Sequence, residues 1–314
     1  MGVHTLKLFI IGNGFDIGHG LATKYSDFRR YLKVNHPEFL ENFEKHYYLY
    51  STSKESRNQL MLWNKFEENL PKIDQNIIKQ EADQIEKNLA DDDPTNDDFL
   101  YSDLSNEYSY IDKLPEYLAE WLNTISLENV PRRTSLIKED SNDLYVNFNY
   151  TYVLEEVYNI PDDRIIHIHG VLNNYTDGPI IGHGDFNKIY TTQKRRRIAE
   201  LYLHEKEQNI YKAFEHYYKH TYKDIKKFLP KLDKIKGETI NEIIVIGHSV
   251  ASVDSPYFSY IDELTGGRAK WNVYYLNDEE KKVIKQNLSK VGISKVILKN
   301  IIHFYDLKYE TVGC

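Results

Sequence analysis

The chain has 314 residues, 41% of them apolar, and a formal net charge of −8 at pH 7. That is enough apolar material for a sizeable core, no apolar run approaches the roughly 18 residues of a membrane span, and the acidic balance argues against wholesale wrapping of nucleic acid. The only cysteine is Cys314, so no intrachain disulfide can form. The first residues lack the cationic and apolar regions of a secretory signal, and a cytoplasmic location is expected.

Seven stretches are β-branched, apolar and flanked by turn residues, the pattern of strands. They are Leu6–Ile11, Leu144–Asn147, Ile165–Ile168, Pro179–Ile181, Glu242–Ile246, Trp271–Leu276 and Lys295–Leu298. "LFII" and "IIVI" are apolar on both faces, as strands of a covered parallel sheet are. Helical segments alternate with them, so the expected architecture is α/β, with a mostly parallel sheet and helices on both faces. A single α/β domain over 1–314 is expected, carrying helical insertions at about 28–125 and 186–230. The acidic "DDDPTNDD" at Asp91–Asp98 interrupts the first insertion and reads as a loop. The second carries "KRRR" at Lys194–Arg197, which reads as a solvated helix face or a local basic patch. Many of the 26 tyrosines lie in such helical stretches, where interhelix packing is their expected use.

The first strand ends in "GNGFD". Gly12 and Gly14 permit φ > 0 and close approach of a ligand to the backbone, and a helix start just beyond them would offer bare N–H groups to a phosphate. The third glycine of a dinucleotide fingerprint is missing, since position 17 is Ile17. The turn therefore reads either as a nucleotide-phosphate site or as a plain tight turn. Asp16 faces a ribose hydroxyl in the first case and caps a helix in the second. Thr23 and Ser26 are N-cap candidates for the helix that follows.

Two later strands end in polar residues. "NFNYT" sets Asn147, Asn149 and Thr151 on alternate positions, and asparagine is depleted in strands, so ligand contact or a polar turn must account for it. "HIHG" puts His167 and His169 on one face before Gly170. His169 is a candidate general base. With His183 and Asp185 of "IIGHGDF", the histidines could instead hold a metal in a nuclease or phosphohydrolase. "GHSVA" at Gly247–Ala251 approaches a hydrolase nucleophile elbow, with Ser249, Asp278 and His303 in triad order. Ser249 could equally hydrogen-bond a phosphate or ribose.

Together, "IIGNGFD", "NFNYT", "HIHG", "IIGHGD" and "IGHSVASVDSPYF" resemble the AbiH family of bacteriophage abortive-infection proteins, in that order from Ile10 to Phe258. That family in turn is similar to sirtuin-like NAD-cleaving domains. The resemblance implies an antiphage effector that hydrolyses the nicotinamide–ribose bond of NAD. By position, His169 would be the catalytic base and Asn149 would hold the ribose; an acid such as Asp16 would stabilise the cationic sugar electrostatically. The nucleotide would lie against Gly12, Asn13, Gly14, Phe15, Asn147, Thr151, Gly170, His183, Gly247, His248, Ser249 and Asp254. NAD is substrate in this reading and no metal is expected. The expected partners are a nucleotide, a phage-derived trigger and further copies of the chain, with no membrane; nucleic acid is disfavoured by the charge and stays open as the substrate of the nuclease reading. Three features depart from the sirtuin pattern: Asn13 stands for its alanine, Thr151 for its acid, and the four-cysteine zinc module is absent. A nucleotide sensor without turnover is the reading from another class.

Overall fold

A computed structural model describes residues 6–47, 62–92, 104, 108–170, 179–251 and 253–306. The first part of the chain runs β1 (Leu6–Ile11), α1 (Asn13–Gly18), α2 (Tyr25–Asn35), α3 (Pro37–Lys45), α4 (Phe66–Asn69), α5 (Gln75–Asp92) and α6 (Leu114–Leu122). The middle adds β2 (Leu144–Asn147), β3 (Ile165–His167), α7 (Phe186–Leu201) and α8 (Glu205–His220). The last part holds β4 (Ile240–Ile246), α9 (Ser255–Leu264), β5 (Lys270–Tyr275), α10 (Asp278–Lys290) and β6 (Val296–Asn300). The chain divides into two compact units. One comprises Met1–Lys24, Ala119–Ile180 and Asp224–Cys314, the other Tyr25–Leu118 and Ile181–Lys223. No helix among the described residues is long and apolar enough to cross a membrane.

The first unit is built on a six-stranded sheet of order β3-β2-β1-β4-β5-β6. Every pairing in it is parallel. The two strands that are apolar on both faces, β1 and β4, pair at its centre, with Ile11 opposite Ile246. Successive residues of β1 enter different cores, because strand side chains alternate in direction. Leu8 and Ile10 pack with Ile243, Val245, Trp271 and the α9 residues Tyr257, Phe258 and Ile261. Phe9 and Ile11 pack with Tyr145, Ile244, Ile246, Phe15 and Tyr158. Burial on both sides is what selects unbroken apolar strands over alternating ones. The edge strands β3 and β6 are short, and β6 is largely half-exposed, as sheet edges commonly are.

Among the described residues the first expected insertion carries α2 to α6, and 186–230 resolves into α7 and α8 followed by short 3-10 turns at Ile225–Lys227 and Leu229–Ile235. One expected strand is not found. Pro179–Ile181 forms no ladder; Ile180 N–H donates to the His169 carbonyl at 2.9 Å and Ile180 O accepts the Tyr150 hydroxyl at 2.8 Å. A proline and two isoleucines give β-propensity but only one usable pairing position. Of the acidic run at 91–98, Asp91 and Asp92 end α5, and the remainder lies outside the described residues.

The second unit is helical and packed through aromatic rings, with Trp63 against Phe28, Phe43 and Phe66, and Phe43 against Phe66. Two acids hold it together. Glu44 receives Arg29 at 2.5 Å and the Trp63 indole N–H at 2.8 Å. Glu67 receives the fully buried Lys223 ammonium at 2.8 Å.

Candidate functional site at the strand-order reversal

In an open parallel sheet of this order the connections leave β1 and β4 toward opposite sides, and ligands bind in the crevice beyond their carboxyl ends. The turns in question are Gly12–Asp16 after β1 and Gly247–Asp254 after β4. They touch. Gly12 N–H donates to Ile246 O at 3.0 Å, and Gly14 N–H to Gly247 O at 2.8 Å. A Cβ on Gly14 would stand 2.6 Å from Gly247 Cα, and one on Gly247, whose φ is +66°, would stand 2.2 Å from Phe15 N. The glycines are therefore required by turn-on-turn packing. The expectation of bare amides is corrected here: Gly12, Gly14 and Phe15 all donate to carbonyls, the last to Gly12 O at 2.9 Å.

Asp16 lies beyond these glycines and is 1% exposed. Its Oδ1 accepts from Asn149 Nδ2 and its Oδ2 from the Thr151 hydroxyl, each at 2.6 Å. It is thus no helix cap. Asn149 Nδ2 also donates to Gly12 O at 3.2 Å, so both amide hydrogens are in use and Oδ1 is the atom left for an incoming hydroxyl. Burial raises the Asp16 carboxyl to about 7, against the lowering pull of the Thr151 and Asn149 hydrogen bonds and with a further push from Glu155. Near neutral pH it can hold or release a proton.

His169, past the end of β3, is 4% exposed. Its Nε2 lies 3.5 Å from Asp254 Oδ1, and His248 Nε2 lies 3.5 Å from Asp254 Oδ2. One carboxylate therefore serves two imidazoles. His248 Nδ1 accepts the Val250 N–H at 2.9 Å, which in the neutral ring leaves the proton on Nε2, facing Asp254. The Phe148 ring packs edge-on against both, 5.3 Å from His169 and 4.5 Å from His248. Val250, buried and β-branched, has φ +51°, a conformation that stores strain. The two groups are joined through Gly12: Asn149 bonds its carbonyl, and a Cβ there would stand 2.7 Å from His248 Cβ.

Other residues singled out in the sequence have different employment. Asn147 Oδ1 accepts the Asn149 N–H at 3.0 Å and shapes the turn. Asn13 Nδ2 ties down Thr23 O at 2.7 Å. Thr23 is not a cap, since its buried hydroxyl has no partner. Phe15 is a core residue with no exposed surface, so its ring is not available to a ligand. Gly170 turns with φ +78°. Ser249 is exposed, and no hydrogen bond among the described residues joins it to His303 or Asp278, so the triad has no observation behind it. His167 pairs with Glu155 at 2.7 Å, not with the acid that faces His169.

His183 belongs to the second unit. It is 1% exposed, its Nδ1 accepts the Asp185 N–H at 3.1 Å, and burial lowers it to about 4. Asp185 caps α7 through Lys188 N–H. Both residues thus have structural partners.

Three participants carry no signal that singled them out in the sequence. Phe148 stands between the two asparagines, and its ring orders both imidazoles. Glu155, on a π-helical turn at Val153–Val157, bonds His167. His19 supports the end of α1: its Nδ1–H donates to Phe15 O at 2.7 Å and its Nε2 accepts the Tyr158 hydroxyl at 2.8 Å. Burial lowers His19 to about 4. The only local hint of it is the i, i+4 spacing of Phe15 and His19.

The strand order and the polar groups gathered at its reversal define a Rossmann-like α/β protein with a ligand crevice expected at the β1/β4 edge. Residues 8–275 match the family model described as Bacteriophage abortive infection AbiH, and the chain belongs to that family. Its role is accordingly in abortive infection, a defence against bacteriophage. No curated protein and no solved structure matches the chain.

Proposed function

We propose that this abortive-infection protein acts by hydrolysing NAD, or a closely related nucleotide, to nicotinamide and ADP-ribose. The observation that supports it is the pairing of two buried acid-centred groups at one sheet edge, Asp16–Asn149–Thr151 and His169–Asp254–His248. The resemblance to sirtuin-like NAD-cleaving domains, carried by Asn149 and His169, points the same way.

In this mechanism the glycosidic electron pair leaves with the pyridinium nitrogen, giving neutral nicotinamide, while positive charge develops on the ribose. Asn149 Oδ1 accepts a ribose hydroxyl and fixes the sugar. Ionised Asp16, held by two short hydrogen bonds, stabilises the cationic ring electrostatically. Water attacks the anomeric carbon and loses its proton to His169, whose imidazolium is stabilised by Asp254. Thr151 and His248 are positioning residues, acting through the two acids.

The test is incubation of the purified full chain with NAD, NADP, ATP and nucleic acids, with and without lysate of phage-infected cells, the products being read by mass spectrometry. The reading expects nicotinamide and ADP-ribose in equal amounts, lost in His169→Ala. NAD left intact under all conditions overturns it.

A further inference from the structure

The proposed reaction leaves one side-chain cluster of the second unit without a use. Among the described residues, one group of three His, Cys, Asp or Glu side chains has ligand atoms within 4.8 Å of one another: Asp112, His216 and His220. We propose that these three residues form a binding site for a divalent transition-metal ion of the zinc class, linking the 3-10 turn at Ser109–Lys113 to the last turn of α8.

The chain arranges the donors by simple geometry. His216 and His220 are four apart on a helix, so they stand on one face, with ring centroids 4.0 Å apart. Asp112 reaches them from 104 residues away in sequence. Its Oδ1 lies 3.1 Å from His216 Nε2 and 3.6 Å from His220 Nε2. A tetrahedral ion with nitrogen and oxygen bonds of about 2.0–2.1 Å has ligand–ligand edges of roughly 3.3 Å, between those two distances. Both Asp112 edges are within a few tenths of an ångström of that value, and all three donor atoms lie within 4.8 Å of one another.

The hydrogen bonding supplies an independent reason. His220 Nδ1 lies 2.9 Å from the His216 carbonyl. A carbonyl can only accept, so Nδ1 carries the proton, and in the neutral ring Nε2 is a lone pair. That nitrogen faces Asp112 Oδ1 at 3.6 Å, too long for a hydrogen bond, so in the neutral ring two acceptors are opposed. A cation between them resolves the opposition. An imidazole whose other nitrogen is held by a carbonyl is also the usual setting of a metal ligand. The neighbouring lysines are engaged elsewhere, Lys113 with Glu116 and Lys219 with Glu215, both at 2.8 Å or less. No lysine or arginine pairs with Asp112 among the described residues.

Two imidazoles and one carboxylate suit zinc and its first-row neighbours, whereas magnesium and calcium prefer oxygen donors. Three protein ligands on a partly exposed surface leave a fourth position for water. An ion there would join two segments that are distant in the chain and so favour the folded state.

The test uses the full chain, stripped with chelator and titrated with Zn2+ alone by calorimetry, with Co2+ as a visible-absorption reporter. The expected result is about one equivalent bound and a raised thermal midpoint. His216→Gln, His220→Gln and Asp112→Asn should each lower affinity at least about tenfold, the lower end of what losing even an outer partner of a ligand does. His204→Gln, at the start of the same helix, should leave binding unchanged. Circular dichroism of the metal-free variants checks that they fold, and Asp112→Asn, at an exposed carboxylate, serves if a histidine variant does not. Absence of saturable Zn2+ binding, equal binding of Mg2+, or undiminished binding in the His216→Gln/His220→Gln double variant overturns the proposal. None of these outcomes depends on NAD turnover, so the two proposals stand or fall separately.

Discussion

Asn149 joins the end of β2 to the turn after β1 by donating one amide hydrogen to Asp16 Oδ1 at 2.6 Å and the other to Gly12 O at 3.2 Å. The same residue therefore fixes the acid that titrates nearest neutrality and the glycine turn that packs on β4. Structure and proposed chemistry meet in one side chain.

Removing it should act on both. Asn149→Ala leaves a buried carboxylate short of a donor and should destabilise the chain by about 1–3 kcal/mol in urea unfolding, while abolishing NAD turnover. Asn149→Asp sets a second acid against Asp16 and should be worse than alanine. Wild-type stability in both variants would contradict the geometry.

Asp16 and His19 make opposed contributions to stability against pH. The Asp16 carboxyl rises from 3.8 to about 7 in the folded chain, so the native state binds the extra proton and stability falls as pH rises through that window, by about 4 kcal/mol at most. His19 drops from 6.5 to about 4; the unfolded state then binds the proton, and stability rises with pH between those values by about 3 kcal/mol. Between pH 4 and 6.5 the two largely cancel. Asp16→Asn should expose a rising profile and His19→Gln a falling one, measured by urea midpoints at each pH. Identical slopes in both variants and wild type would refute the pairing.

The glycine turns give a steric prediction. Gly20 has φ +85° with nothing within 4 Å of the place a Cβ would take, whereas Gly247 combines φ +66° with backbone at 2.2 Å. Gly20→Ala should cost about 1–2 kcal/mol from handedness alone. Gly247→Ala must also push the β1 and β4 turns apart and should cost clearly more, read as the difference in thermal midpoint.

Asp254 is assigned to hold His169 and not to touch the substrate. Asp254→Asn should lower kcat by about 10²-fold with little change in KM, as loss of support to a general base does. A change confined to KM would mark Asp254 as a binding residue instead.

Much of this architecture is legible in the sequence. β1 and β4 announce themselves as apolar runs stopped by glycine, and polar residues at strand ends mark Asn149 and His169, because burial on both faces leaves only the C-terminal rim for polar chemistry. What the order of residues hides is who meets whom. The Thr151 bond to Asp16 spans 135 positions, and nothing local to Asp254 says that its carboxylate lies between His169 and His248. The packing role of Gly12 and Gly14 is hidden for the same reason: their need for glycine comes from Gly247, a distant turn. Pro179–Ile181 has strand-like residues but makes one backbone bond, to the His169 carbonyl beyond the end of β3, and no ladder.

The most direct measurement follows NAD, nicotinamide and ADP-ribose in phage-infected cells carrying the wild-type chain, His169→Ala or Asn149→Ala, with protein levels matched. The account predicts that NAD falls and both products rise together in wild-type cells alone, at the time growth arrests. Growth arrest and phage protection with NAD undiminished, or with products formed equally by His169→Ala, would contradict it.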